Sequence, residues 1–330
     1  MNDRINWVRT VYSDGRHNAF TDLKGFDGRW YVCFRSGESH ASMDGVIRVM
    51  ASDDLEAWEQ VALLSTVLDD RDPKFAVWQG RLWVLGPTRT QPWPREEHRG
   101  RAAWRFQSVG WSTADGEAWS AGTVLEPVDH RFWRPREHDG AMWVALHCTN
   151  PPEGVEEHSA LWRSTDMMKW EFVSMIHEGD YANETDLEFL ADGTLVAFVR
   201  REDADGAGTP FKTARPPYVE WTQHDQPLDV RGPMLGQADG RLYVVGRYLE
   251  PRPEEEGGGS YRDTRLYRVG DDWRLEELLV LPAPEWATTR AGDNSYAGYH
   301  SLGDGELLLS WYSGNSEGRA DIFVASIDIS

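Results

Sequence analysis

A short glycine-centred turn returns six times along this chain, and that repetition restricts the fold more than any other feature. Gly28 (FDGRWYV), Gly80 (WQGRLWVL), Gly140 (HDGAMWVAL), Gly193 (ADGTLVAF), Gly240 (ADGRLYVV) and Gly305 (GDGELLLS) each follow Asp or Gln and precede an apolar run. Asp-Gly between strand formers marks a tight hairpin, because the two-residue turn that suits the strand twist needs positive φ at its centre. The glycines lie roughly 50–65 residues apart, close to the length of a four-stranded propeller blade. A second repeat runs out of phase with the first. Ser52-x-Asp54 leads to Trp58, Thr113-x-Asp115 to Trp119 and Ser164-x-Asp166 to Trp170, the Trp always six residues after the hydroxyl residue. Such a segment folds its short polar side chains onto its own backbone while the indole packs between neighbouring sheets.

Together the repeats predict an all-β chain, a six-bladed β-propeller with blades over 20–65, 70–125, 130–178, 183–229, 232–282 and 293–330. The last blade is one strand short. The N-terminal run INWVRTVY supplies that strand, closing the ring and removing open sheet edges. A single domain over residues 1–330 is expected, with loop insertions at 87–104, 201–218 and 248–263. Composition agrees, since 17 Trp and 31 Gly accompany many short apolar runs and no sustained helical periodicity.

The net charge of -21 and pI near 4.8 argue against nucleic acid and anionic membrane as partners, because both are held by clustered Lys and Arg. Cys33 and Cys148 each sit in an apolar strand-like run, so buried thiols are expected rather than a disulfide. No metal-ligand spacing is legible, and neither a metal nor a cofactor is expected. MNDRINWVRT lacks the apolar core of a signal peptide and no run approaches a membrane span, so a cytoplasmic chain is expected.

In a propeller the innermost strand of each blade lines the central channel, and its first residues point into one mouth. Those segments read HNAFTD (17–22), RDPKF (71–75), FWRPRE (132–137), NETD (183–186), RGPM (231–234) and DNSYAGY (293–299). Buried charge is rarely tolerated without pairing, so a ring of such residues reads as a ligand site. The stretch NETDLEFLADGTLVAFVRR is its clearest part. Glu184 precedes one strand of a hairpin and Arg200-Arg201 end the other, so antiparallel pairing brings acid and base to the same end.

Several of these segments resemble the sialidase superfamily of six-bladed propellers, and more closely the bacterial sequences called exo-α-sialidase or BNR-repeat proteins. The likeness covers essentially the whole chain. The S-x-D-x-x-x-W units resemble that family's Asp-boxes, one residue shorter than the usual form. NETDLEFLADGTLVAFVRR resembles the stretch carrying the glutamate that activates the nucleophile, which implies that role for Glu184. Arg200, sixteen residues on, falls where a carboxylate-binding arginine is expected. SYAGYHSLGDGELLLSWY resembles the stretch with the tyrosine nucleophile, implying Tyr296, and GSYRDTRLYRV implies Arg262 as another arginine of the triad. Ala19-Phe20-Thr21 stands where the family has Arg-Ile-Pro, so one arginine is missing and ordinary sialic acid is not the expected substrate. In the region of the acid/base aspartate, CFRSGESHASMDG offers Glu38, His40 or Asp44, with Arg35 near the place expected for the acid.

The chemistry also stands on its own terms. A sugar carboxylate beside the anomeric carbon repels a carboxylate nucleophile, whereas a neutral tyrosine deprotonated by Glu184 as it attacks avoids that repulsion. Arg200 and Arg262 would hold the substrate anion in bidentate fashion. Arg35, Asp72, Lys74, Arg134, Asp186 and Asp293 are further candidate substrate contacts, and Asp44 or His40 the candidate acid. Each has a structural competitor. Glu184 could pair with Arg200, Tyr296 could be a buried tyrosine with a satisfied hydroxyl, and Arg262 could pair with the acidic run 254–256. Asp72 and Lys74 could pair around Pro73, Arg134 and Arg136 could tie blades together, and Asp22 could cap backbone groups.

Three functions fit: a retaining exo-glycosidase acting on an acidic or modified sugar, a polysaccharide lyase in which Tyr296, His17 or His40 abstracts a proton beside a uronic carboxylate, and a non-catalytic glycan-binding propeller. All three imply a carbohydrate partner, with Trp133, Tyr299 and Trp93 as candidate stacking surfaces.

Overall fold

The computed structural model describes residues 3–90, 106–148, 155–202, 208–251, 253, 260–287, 293–315 and 317–330. Their regular structure is entirely β-strand, and no described helix is long and apolar enough to cross a membrane. Trp93 and the acidic run 254–256 lie outside the described residues.

The strands group as antiparallel units in chain order. The first is His17–Phe26, Arg29–Gly37, Val46–Ser52 and Glu59–Leu64. The second places Asp69–Asp70 and Lys74–Trp78 beside Arg81–Arg89, Phe106–Thr113 and Thr123–Val124. The third places His130–Phe132 and Arg136–His138 beside Ala141–Cys148, His158–Ser164 and Glu171–Glu178. The fourth is Ala182–Phe189, Leu195–Arg201, Phe211–Ala214 and Thr222–His224, and the fifth is Val230–Ala238, Arg241–Pro251, Ser260–Val269 and Leu275–Val280. The last is Asn294–Gly303, Glu306–Gly314 and Ala320–Asp328, and Ile5–Tyr12 pairs antiparallel with its final strand. A single parallel bridge from His17 to Ala320 joins this unit to the first.

The repeated turns explain the hairpins. Asp27-Gly28, Gln79-Gly80, Asp139-Gly140, Asp239-Gly240 and Asp304-Gly305 have φ of 47–51° at the first residue and 67–77° at the second. That conformation is cheap only for Gly and tolerable for Asp or Asn, which is why the pair recurs. In the Ser/Thr-x-Asp units the carboxylate accepts two backbone N–H groups at 2.8–3.0 Å, Asp54 from Glu56 and Ala57, Asp115 from Glu117 and Ala118, Asp166 from Met168 and Lys169.

Apolar side chains pack face to face between successive units. Tyr31, Val49, Leu82 and Trp111 join the first to the second, and Leu85, Phe132 and Val144 the second to the third. Leu161 and Leu187 join the third to the fourth, Phe198, Val244 and Tyr267 the fourth to the fifth, and Tyr243, Leu266 and Trp311 the fifth to the last. Val32, Phe34, Leu308 and Ile322 return the last to the first. Trp58, Trp119 and Trp170 each pack at one of these interfaces, as the repeat predicts.

The first strand of every unit is irregular near its start. Register shifts occur between Ala19 and Asp22, Ala182 and Thr185, Arg231 and Met234, and Ser295 and Gly298. The second and third units instead split that strand, at Arg71–Pro73 and Trp133–Pro135. Phe20, Asp72, Gly232 and Tyr296 accordingly have positive φ, from 40° to 64°. Bulges re-aim side chains, and here they turn residues of several units toward one cavity.

Candidate active site

That cavity, of about 610 Å³, is lined by residues of all six units, among them Phe20, Asp72, Arg131, Glu184, Arg247 and Tyr296. Its walls carry seven arginines (71, 131, 200, 231, 247, 262 and 319) against Asp72, Glu184, Glu202 and Asp293. On a chain of net charge -21 this excess of arginine over acid is a local reversal of sign.

At its floor the Tyr296 hydroxyl donates to Glu184 Oε1 at 2.7 Å. Glu184 Oε2 accepts the Gly232 N–H at 3.1 Å and forms an ion pair with Arg200, whose Nη1 also reaches the Tyr296 oxygen at 3.4 Å. The other end of Arg200 pairs with Glu202 at 2.5 Å. Gly232 is required here, because a Cβ at that position would stand 2.9 Å from the Tyr296 ring. Burial opposes ionisation of Glu184, but Arg200 and Arg131 overcome it and hold the carboxyl below its ordinary range. Burial and then the Glu184 charge push the Tyr296 phenol far above its usual value. The resting pair is therefore a carboxylate beside a neutral phenol.

A second cluster centres on Asp293. Its Oδ1 accepts from Arg247 at 2.8 Å and from the Tyr312 hydroxyl at 2.7 Å. Its Oδ2 meets His40 Nδ1 at 2.5 Å and His17 Nε2 at 3.1 Å. Burial works against the charge, yet His40, His17 and Arg247 keep the carboxyl well below the ordinary value. With Asp293 on Nδ1, the half-exposed His40 ring presents its other nitrogen away from that carboxylate. Arg247 also lies over the Tyr296 ring, 5.4 Å from its centroid, and so links the two clusters.

Tyr296, Glu184, His17, His40, Arg200, Arg262, Asp72 and Asp293 line the cavity. The remaining expected site residues do not. Asp44 lies outside it in an ion pair with Arg16, because the loop after Gly37 turns that carboxylate outward. Arg35 is fully buried and spends its guanidinium on Asp69 at 2.7 Å and on the Ser39 and Ser42 carbonyls. Lys74 is buried against Trp133 and donates to the Thr21 and Pro73 carbonyls, while Asp72 pairs with Arg131 at 2.6 Å rather than with Lys74. Arg134 and Asp186 form a buried pair at 2.6 Å, with Asp22 at 3.3 Å from the same guanidinium. Among the expected stacking surfaces, Trp133 is buried with its indole donating to the Pro233 carbonyl, and Tyr299 donates to the Gln237 carbonyl. Phe20, Phe106 and Leu249 are the apolar side chains of the wall instead.

Sequence reasoning missed Arg247, although a signal exists. Gly193 to Arg200 and Gly240 to Arg247 are the same seven-residue step from hairpin turn to strand end, so the repeat puts both guanidinia at one level. Arg71 and Arg231 open the channel-lining segments RDPKF and RGPM, whereas Arg131 and Arg319 lie outside those segments.

No family profile and no curated protein matches the chain. Among solved structures it is similar to a Dyadobacter fermentans protein of unknown function, at 15% identity and a TM-score of 0.78 over 99% of both chains. Trypanosoma rangeli sialidase in complex with the inhibitor DANA matches at 14% identity and a TM-score of 0.67, over 98% of this chain and 58% of that one. The Bombyx mori GH32 β-fructofuranosidase BmSUC1 matches at 14% identity and a TM-score of 0.55, over 98% of this chain and 92% of that one. These likenesses define the class, a fold shared with glycoside hydrolases. Within it, the chain has a sialidase-like propeller fold.

Proposed function

We propose that the chain is one domain, a six-bladed propeller closed by Ile5–Tyr12, and a retaining exo-glycosidase for a carboxylate-bearing sugar other than ordinary sialic acid. The six apolar interfaces, the last of which returns to the first unit, support the architecture. The observation that carries the activity is the 2.7 Å contact from Tyr296 Oη to Glu184 inside an arginine-rich cavity. Arg200 and Arg262 hold the substrate carboxylate, with Arg247 alongside. Tyr296 Oη attacks the anomeric carbon and passes its proton to Glu184, forming a glycosyl-tyrosine bond as the bond to the leaving oxygen breaks. His40, held by Asp293, gives a proton to that oxygen. The imidazole then takes a proton from water as the water oxygen attacks the anomeric carbon; the electron pair of the glycosyl-tyrosine bond returns to Tyr296 Oη, which recovers its proton from Glu184. The phenol needs its high proton affinity in the resting state, and Arg200 stabilises the phenolate as it forms and leaves.

The test is trapping. A fluorinated, activated glycoside of an acidic sugar is incubated with the protein and the adduct mapped by peptide mass spectrometry. Label on Tyr296 is the expected result. An unsaturated, ultraviolet-absorbing product would assign a lyase, and thermal stabilisation by a glycan without turnover would assign a binding protein; either would reject the glycosidase.

A further inference from the structure

Away from the cavity, the third unit brings three soft ligands into one row. His130 pairs with Cys148 across adjacent strands, and one step beyond the His147–Ser159 pair Cys148 is level with His158 on the next strand. One nitrogen of each ring and the Cys148 sulfur all lie within 4.8 Å of one another. Tetrahedral zinc bonds of about 2.0–2.3 Å separate neighbouring ligand atoms by roughly 3.5 Å, so small side-chain rotations bring the set to bonding geometry.

Each imidazole has one nitrogen engaged by a backbone carbonyl. His130 Nδ1 lies 2.8 Å from the Val128 carbonyl and His158 Nδ1 lies 2.9 Å from the Glu156 carbonyl. A carbonyl only accepts, so each Nδ1 carries the proton, and in the neutral ring the lone pair is on Nε2. Locking one nitrogen onto a backbone carbonyl is how proteins fix the tautomer of a metal-bound histidine. Cys148 is 4% exposed and is not in a disulfide, and the Trp162 ring stands edge-on to His130 at 5.8 Å, giving the row an apolar wall.

We propose that Nε2 of His130, Nε2 of His158 and Sγ of Cys148 bind one divalent transition ion of zinc-like softness, with water in the fourth position. Two imidazoles and a thiolate select zinc, cobalt or copper over magnesium and calcium, which prefer oxygen ligands. Binding releases the thiol proton, so it strengthens as pH rises. The ion would tie three strands at the end that carries Arg131, the residue beside His130 that reaches Asp72.

The test uses the full chain stripped with chelator and titrated with Co²⁺, and then with Zn²⁺ in competition. The expected result is one Co²⁺ per chain with an intense thiolate-to-cobalt band in the near ultraviolet, displaced by Zn²⁺ and untouched by Ca²⁺. Cys148→Ser should remove the band. His158→Gln, at a half-buried position whose loss leaves the sheet intact, should weaken binding by more than the 10–100-fold typical of outer-shell changes. Zn²⁺ should also raise the melting temperature of the natural chain and not of His158→Gln. A missing thiolate band, or equal Co²⁺ affinity in the natural chain and His158→Gln, would overturn the assignment.

Discussion

The rings of Phe20 and Tyr296 meet edge-on with centroids 4.9 Å apart, and both residues sit at positive φ in bulged strands. Phe20 belongs to the segment that stands in place of Arg-Ile-Pro, and the position that the resemblance gives to arginine is held by the buried Ala19, which carries no charge. An aryl sialoside should therefore be cleaved about 10–100-fold less efficiently than the preferred acidic glycoside, the worth of one charge-assisted contact of roughly 1.5–3 kcal/mol. Comparing kcat/KM for the two checks this, and equal values would show that the remaining arginines suffice.

Tyr296→Phe should keep the ring packing and lose at least about 1000-fold in turnover, since the attacking oxygen is gone. Glu184→Gln should lose a comparable factor and also some stability, because Arg200 then keeps only Glu202 as a charged partner. Rates and melting curves on both variants separate the two effects. Retained turnover in Tyr296→Phe would remove the nucleophile from the scheme.

Acid stability follows from the direction of two carboxyl shifts. Glu184 and Asp293 both have folded values below their ordinary 4.5 and 3.8, so unfolded chains bind protons first as pH falls. Their stabilisation is complete above about pH 4.5 and lost as pH drops through the lower folded values. Below about pH 4.5 the gap in melting temperature between the natural chain and Asp293→Asn should shrink. A gap that widens on acidification contradicts the assignment.

Arg262 and Arg247 should respond differently to removal. No hydrogen bond or ion pair holds the Arg262 guanidinium among the described residues, whereas Arg247 is tied to Asp293, Tyr312 and the Asn294 carbonyl. Arg262→Ala should raise KM about tenfold or more with little change in melting temperature. Arg247→Ala should also lower the melting temperature, by breaking a buried network. Binding and melting measurements on the pair decide it.

Arg134 gives the opposite contrast to Arg262. It joins Asp22, Asp186 and the Ala297 carbonyl from three other units. Arg134→Met should cost about 3–5 kcal/mol of stability, because two buried carboxylates lose their closest cation and Asp186 keeps, as an ion pair among the described residues, only the longer contact with Arg136. KM of the protein that remains folded should stay unchanged, and a selective rise in KM would make Arg134 a substrate contact after all.

Glu184, Arg200 and Asp293 were legible because each begins or ends a strand whose hairpin turn is marked by Gly, while Tyr296 was legible only through the resemblance carried by SYAGYHSLGDGELLLSWY. Lys74, Arg134 and Asp186 were misread for the same reason. They occupy the same segments as the cavity residues, and nothing in one strand tells whether a charge faces the cavity or a partner in the next unit. Asp44 was misread because a loop, unlike a strand, has no period to say where its carboxylate points. The histidine and cysteine row in the third unit was invisible for a different reason. Its ligands are spread over residues 130, 148 and 158 and become neighbours only through strand register.

Sequence alone determined the all-β class, the hairpins and the six-fold repeat. Those depend on local forces, the left-handed turn that Gly permits and the alternation that a pleated strand imposes. Tertiary structure decided which charges meet, because pairing energies depend on distance and burial across units far apart in the chain. It is the bulges at Phe20, Tyr296 and their counterparts, held by packing between sheets, that turn a row of strand ends into one arginine-rich cavity.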